Sequence, residues 1–107
     1  MKDLGSIMKQ AQAMQQRMAE AQERIAALEV QGTSGGGMVT VTLKGTGELS
    51  RVVLDETLMA PGEGEVVADL VVAAHADAKR KLDEKQGEVM REAAGPLAGM
   101  NIPGLKL

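Results

Sequence analysis

Met38-Val-Thr-Val-Thr-Leu-Lys44, followed by Gly45-Thr-Gly47 and then Glu48 to Asp55, decides the fold. Val39, Val41 and Leu43 alternate with Thr40 and Thr42, a period of two that predicts a half-buried strand. Gly45-Thr46-Gly47 is a short turn, and the run around Val52, Val53 and Leu54 reads as the returning antiparallel strand. Upstream, Glu29-Val30-Gln31 is expected to pair as a third strand, joined through Gly32-Thr-Ser-Gly-Gly-Gly37. A sheet this small must have one face covered, most simply by a helix.

Helical patterns flank the sheet on both sides. Before it, Leu4, Ile7, Ala11, Met14, Met18, Ala21, Ile25 and Leu28 recur at alternating gaps of three and four. Such a seam, set among Ala, Gln, Met, Glu and Arg, predicts one long helix. Asp3 is its candidate N-cap. Ile7, Met14, Met18, Ile25 and Leu28 are then candidates for core packing or for pairing with a partner helix, since periods of 3.5 and 3.6 are barely distinguishable over this length. After Pro61-Gly62, a second helix is expected from Gly64 or Glu65, with Val67, Leu70, Val71, Ala74, Ala78 and Leu82 as its apolar stripe. Continuing that stripe meets Lys85, and Gly87 weakens the helix. The second helix is therefore expected to pack well to Leu82, less well beyond, and to project from the body.

Composition narrows the function. The 107 residues carry 12 Lys plus Arg against 15 Asp plus Glu, a formal charge of −3, and contain no Phe, Tyr, Trp or Cys. Without aromatic rings there is no platform for stacking bases. Without cysteine there is no disulfide, thiolate metal site or cysteine nucleophile. One domain is expected over 1–94, with a flexible Gly- and Pro-containing tail over 95–107. No apolar run approaches the length of a membrane span, and a cytoplasmic protein is expected. A core built only from aliphatic residues and eight Met makes burial between two copies a reasonable remedy.

The candidate chemical motifs are few. The Gly32–Gly37 stretch enters a strand with no following Lys, so it reads as a turn and not a phosphate loop. His75 stands alone on a helix with Lys79 four residues on, which does not suit a metal. No nucleophile–base arrangement is present, so no enzyme, cofactor or small-molecule substrate is expected. The local charge asymmetry is Lys79-Arg80-Lys81 with Lys85 and Arg91 on the second helix; Lys9, Arg17 and Arg24 add to it from the first. Asp77 with Lys81, and Arg80 with Glu84, are spaced for i,i+4 ion pairs. A Met-rich heptad seam also suits a helical protein-interaction module, such as a coiled-coil adaptor or a prefoldin-like chaperone.

In the order and spacing of its segments the chain resembles the YbaB/EbfC family of bacterial nucleoid-associated proteins. The resemblance runs through Met8-Lys-Gln-Ala-Gln-Ala-Met-Gln15, Leu28-Glu-Val-Gln-Gly32, Gly35-Gly-Gly37 with Val-Thr-Val, Val53-Leu-Asp55, Asp69-Leu-Val-Val-Ala-Ala74, Asp77-Ala-Lys79 and Asn101-Ile-Pro-Gly104. It implies an α+β protomer of order α-β-β-β-α, a small antiparallel sheet flanked by two long helices, and a homodimer whose helices project like tweezers. It implies double-stranded DNA as partner, altered DNA conformation, a place in the nucleoid and a role in gene regulation, without a cofactor. DNA-binding candidates carried by the resemblance are Lys9, Arg17, Arg24, Lys79, Arg80, Lys81, Lys85 and Arg91. His75, where the family often has Asn, and the Pro61-Gly-Glu-Gly-Glu65 segment are departures from its pattern.

Overall fold

The computed structural model describes residues 4–95. The elements are α1 (Leu4–Ala26), β1 (Glu29–Ser34), β2 (Val39–Lys44), β3 (Leu49–Leu54) and α2 (Gly64–Ala94), in the expected α-β-β-β-α order. The Asp3 cap and the tail beyond Gly95 lie outside the described residues.

The three strands form one antiparallel sheet in the order β1-β2-β3. Val30, Gly32 and Ser34 on β1 lie opposite Leu43, Val41 and Val39 on β2, so these share a face, and α2 covers it. Val39, Val41, Leu43, Ala74, Ala78 and Leu82 are buried there, with Val30 and Leu58 closing the cluster. Val67, Leu70 and Val71 pack at its margin, which accounts for the whole predicted α2 stripe.

The glycine-rich stretch divides into two parts with different physical tasks. Gly35, Gly36 and Gly37 have φ of 60°, 67° and 96°, the left-handed region that glycine enters without steric cost, and they make the turn into β2. Gly32 instead belongs to β1, which runs three residues further than the sequence suggests. A Cβ placed on Gly32 would lie 2.7 Å from the Ala78 Cα, against the backbone of α2. The strand and helix approach so closely because neither Gly32 nor the facing Ala74 and Ala78 interposes a large side chain. Two polar contacts fix this crossing. The Ser34 Oγ donates to the Leu70 carbonyl at 2.5 Å, and the Thr33 N–H donates to the Asp77 carboxylate at 2.9 Å.

The molecule is long. Its extents are 75 × 26 × 16 Å and its radius of gyration is 20.3 Å; a compact domain of 100 residues would have about 13 Å. The length comes from α1 and the second half of α2, which leave the sheet together as an antiparallel pair. Ala21, Val89 and Ala93 are buried between them, flanked by Met18, Ile25, Leu28 and Met90. Beyond Leu82, then, α2 is packed and not loose, which corrects the expectation from Lys85. The position continuing the stripe is Gln86, one turn after Leu82, and its side chain donates to the Gly45 carbonyl at 2.9 Å; Lys85 points away, exposed. Small residues at 21 and 93 let the helices close on each other without large rings. The heptad seam of α1 thus finds its partner inside the same chain over its second half, whereas Leu4, Ile7 and Ala11 remain exposed.

Candidate nucleic-acid interface

The eight cationic candidates fall into two groups. Arg24, Lys79, Arg80 and Lys81 hold carboxylates of this chain. Arg24 reaches Glu92 across the helix pair at 3.1 Å, and Lys79 meets Asp83 at 2.8 Å. Arg80 pairs with Asp77 and, at 3.6 Å, with Glu84; Lys81 pairs with Asp77 at 3.0 Å and also donates to the Gln31 carbonyl. The two spacings singled out in the sequence, 77 with 81 and 80 with 84, both form. Lys9, Arg17, Lys85 and Arg91 have no carboxylate partner among the described residues.

Asp77 is the least exposed of the ion-paired acids. Its side chain is only 20% exposed, and the Thr33 N–H, then the Lys81 ammonium, hold its carboxyl below the usual range. It therefore stays anionic and binds β1, Lys81 and Arg80 together. Most of the basic run at 79–81 is in this way tied to the sheet junction. The remaining pairs, Arg24–Glu92, Lys79–Asp83 and Arg80–Glu84, are more than half exposed on both sides and weak in water.

Away from the junction the charge changes. Leu4 to Ala19 on α1 contains no acid, with Lys9 and Arg17 as its only charges and Gln10, Gln12, Gln15 and Gln16 between them. Lys9, Gln12 and Gln16 fall on the side opposite the apolar seam and are all exposed. Arg17 lies beside the end of α2, its guanidinium 3.5 Å from where a Gly95 Cβ would stand. Lys85 and Arg91, which have no carboxylate partner among the described residues, add charge from α2. The glutamines and the missing acids carry no charge signal of their own, so the basic run at 79–81 is the louder feature of the sequence. The amides matter because glutamine side chains also donate to phosphate and sugar oxygens. His75 is exposed on α2, and no group of three potential metal ligands comes together among the described residues.

On the sheet, β3 is an edge strand that α2 does not cover. Val52 lies opposite Val41 and Leu54 opposite Val39, so both belong to the core face, yet Val52 and Leu49 are exposed. Val53, on the other face, is exposed as well. An unprotected aliphatic edge of this kind is a surface for another chain.

The fold and charge layout define a class: a small three-stranded sheet carrying a projecting helical pair whose α1 is acid-free and cationic from Leu4 to Ala19, a shape and charge suited to lie along a polyanion. The chain belongs to the YbaB/EbfC DNA-binding family, whose sequence model matches residues 1–97. It is 80% identical to a nucleoid-associated protein of Phenylobacterium zucineum, covering 98% of this chain and 96% of that one. It is 51% identical to a nucleoid-associated protein of Maricaulis maris, over 96% and 99% of the two chains. The crystal structure of an uncharacterized protein, HP0035 from Helicobacter pylori, shares the fold, with a TM-score of 0.71 at 22% identity over 87% of this chain and 98% of that one. Among the described residues no helix is long and apolar enough to cross a membrane.

Proposed function

We propose that the protein works as a cytoplasmic homodimer that binds double-stranded DNA in the nucleoid, alters its conformation and thereby influences gene expression. Binding runs through phosphate contacts from the projecting helices, with little reading of base edges. The observation that carries this reading is the acid-free run of α1 from Leu4 to Ala19, which presents Lys9 and Arg17 on a family member otherwise of net negative charge. Cations without internal partners are the ones free to replace counterions along the phosphate backbone. Lys85 and Arg91 extend the same charge on α2, while the amides of Gln12 and Gln16 supply uncharged donors beside it. The absence of aromatic side chains leaves charge and DNA shape as the means of recognition.

A second copy covers β3 in this reading. Leu49, Val52 and Val53 give it an aliphatic surface, and pairing two such edges would set two helical arms on one body. The combined test is direct. Lys9→Glu with Arg17→Glu is expected to abolish duplex binding at 100–200 mM salt (about physiological ionic strength) while the helical content persists. Val52→Lys is expected to halve the mass seen by analytical ultracentrifugation. Undiminished binding by the first variant would remove the arms from the mechanism, and a wild-type chain sedimenting as a monomer would remove the dimer.

A further inference from the structure

The two packed regions of the molecule are built from different side chains. The core between α2 and the sheet buries only valine, leucine and alanine, and Met38 touches its margin. The seam between α1 and α2 is smaller. Ala21, Val89 and Ala93 are its buried residues, and Met18 on α1 and Met90 on α2 lie against them, each half-buried. Two of the three buried residues are alanine, so much of the seam's apolar volume comes from Met18, Met90, Ile25 and Leu28 around them. Arg24–Glu92, the ion pair that crosses the seam, is exposed and weak in water. Packing against two thioethers is therefore a large part of what keeps these helices together.

The chain has no Cys, Trp or Tyr, which leaves its eight methionines as the readily oxidised side chains. We propose that Met18 and Met90 are sites of reversible oxidation by a hydroperoxide, and that their sulfoxides release α1 from α2. A thioether lone pair attacks one peroxide oxygen; an S–O bond forms, the O–O bond breaks, and after proton transfer hydrogen peroxide leaves as water. Sulfur gives up two electrons and the peroxide takes them. The product is a polar, chiral side chain in place of a flexible apolar one. Its oxygen needs a hydrogen-bond donor, and the side chains of Ala21, Val89 and Ala93 offer none. The helices part to hydrate it. Half-burial serves both steps: it leaves the side chains within reach of a small oxidant and sets them against the seam. The sheet–helix core buries no sulfur and holds through the change. Methionine sulfoxide reductases, one for each epimer, return the thioether and let the pair close again.

The full-length protein is treated with hydrogen peroxide, oxidation at each methionine is followed by peptide mass spectrometry, and amide hydrogen exchange reads the packing. Met8 and Met59, each 58% exposed, gauge the oxidant. Sulfoxides at Met18 and Met90 are expected to speed exchange about tenfold over residues 15–24 and 87–93, with β2 unchanged, and both reductases together are expected to restore the slow rates. Met18→Leu with Met90→Leu, close in volume to the parent, is expected to keep its own rates under peroxide. Met8→Leu with Met59→Leu is expected to loosen as the parent does. Four results would overturn the proposal. They are oxidation of Met8 and Met59 that leaves Met18 and Met90 untouched, unaltered exchange with both sulfoxides in place, equal loosening of the Met18→Leu, Met90→Leu protein, and loosening that spreads to β2 or survives the reductases.

Discussion

Neutralising Arg91 tests whether unpaired cations, and not the conspicuous basic run, bind DNA. Each phosphate contact contributes about 0.9 to the slope of log affinity against log salt on B-form DNA. In the proposed homodimer, Lys9, Arg17, Lys85 and Arg91 of both protomers then yield a slope no steeper than about −7, and all eight candidates of both protomers about −14. Between 50 and 200 mM salt the shallower value corresponds to a loss of about 10⁴ in affinity. Arg91→Gln removes one contact per protomer and is expected to make the slope shallower by about 2, nearly equally on unrelated duplexes. Arg80→Gln removes a charge already held by Asp77 and Glu84 and is expected to leave the slope nearly unchanged. Fluorescence anisotropy with a labelled duplex across a salt series measures both. A parent slope well beyond −7, or equal changes from the two variants, would show that Arg80 abandons its carboxylates on binding and would refute the division between paired and unpaired cations.

Three further outcomes follow from the packing. Gly32→Ala drives a methyl group into the α2 backbone at Ala74 and Ala78; overpacking of this kind costs about 1–3 kcal/mol, and thermal unfolding by circular dichroism should fall by at least about 4 °C. Leu82→Ala empties the centre of the sheet–helix core, where Leu82 is 1% exposed, and chemical denaturation should show a loss of about 2–5 kcal/mol. Asp77 has its acid strengthened by the Thr33 N–H and by Lys81. Its contribution to stability is therefore fully present above the ordinary carboxylate pKa and is lost as pH falls through its lowered folded value. The Thr33 amide resonance should titrate below the ordinary carboxylate range, and Asp77→Asn should abolish that titration.

The alternation of Val39, Val41 and Leu43 against Thr40 and Thr42 made the sheet legible, because a period of two admits only one assignment of faces. The α2 stripe to Leu82 was legible for the same reason at helical period. Gly32 was not, because a glycine three residues before a glycine triplet reads as part of the turn; its task is set by Ala74 and Ala78, more than forty positions away. The packing of Val89 and Ala93 was hidden because Lys85 and Gly87 interrupt the α2 stripe and Gln86, which carries it on, is not hydrophobic. At the site, the pairs 77–81 and 80–84 could be read from spacing, while Arg24–Glu92 depends on the helices meeting. The unpaired set was consequently beyond reach, although the lack of acids between Asp3 and Glu20 was in plain view.

The β2–β3 turn has a mechanical consequence. Gly45 is buried where its N–H donates to the Leu28 carbonyl and its own carbonyl receives Gln86, and a Cβ there would lie 2.6 Å from the Ile25 carbonyl carbon. One residue without a side chain is thus the fulcrum on which both long helices rest. From Ile25 to Leu4 the lever is about 32 Å, so tilting its base by five degrees carries the tip through roughly 3 Å, about the spacing of successive base pairs. A side chain at position 45 would therefore displace the base of α1 and move its tip furthest of all.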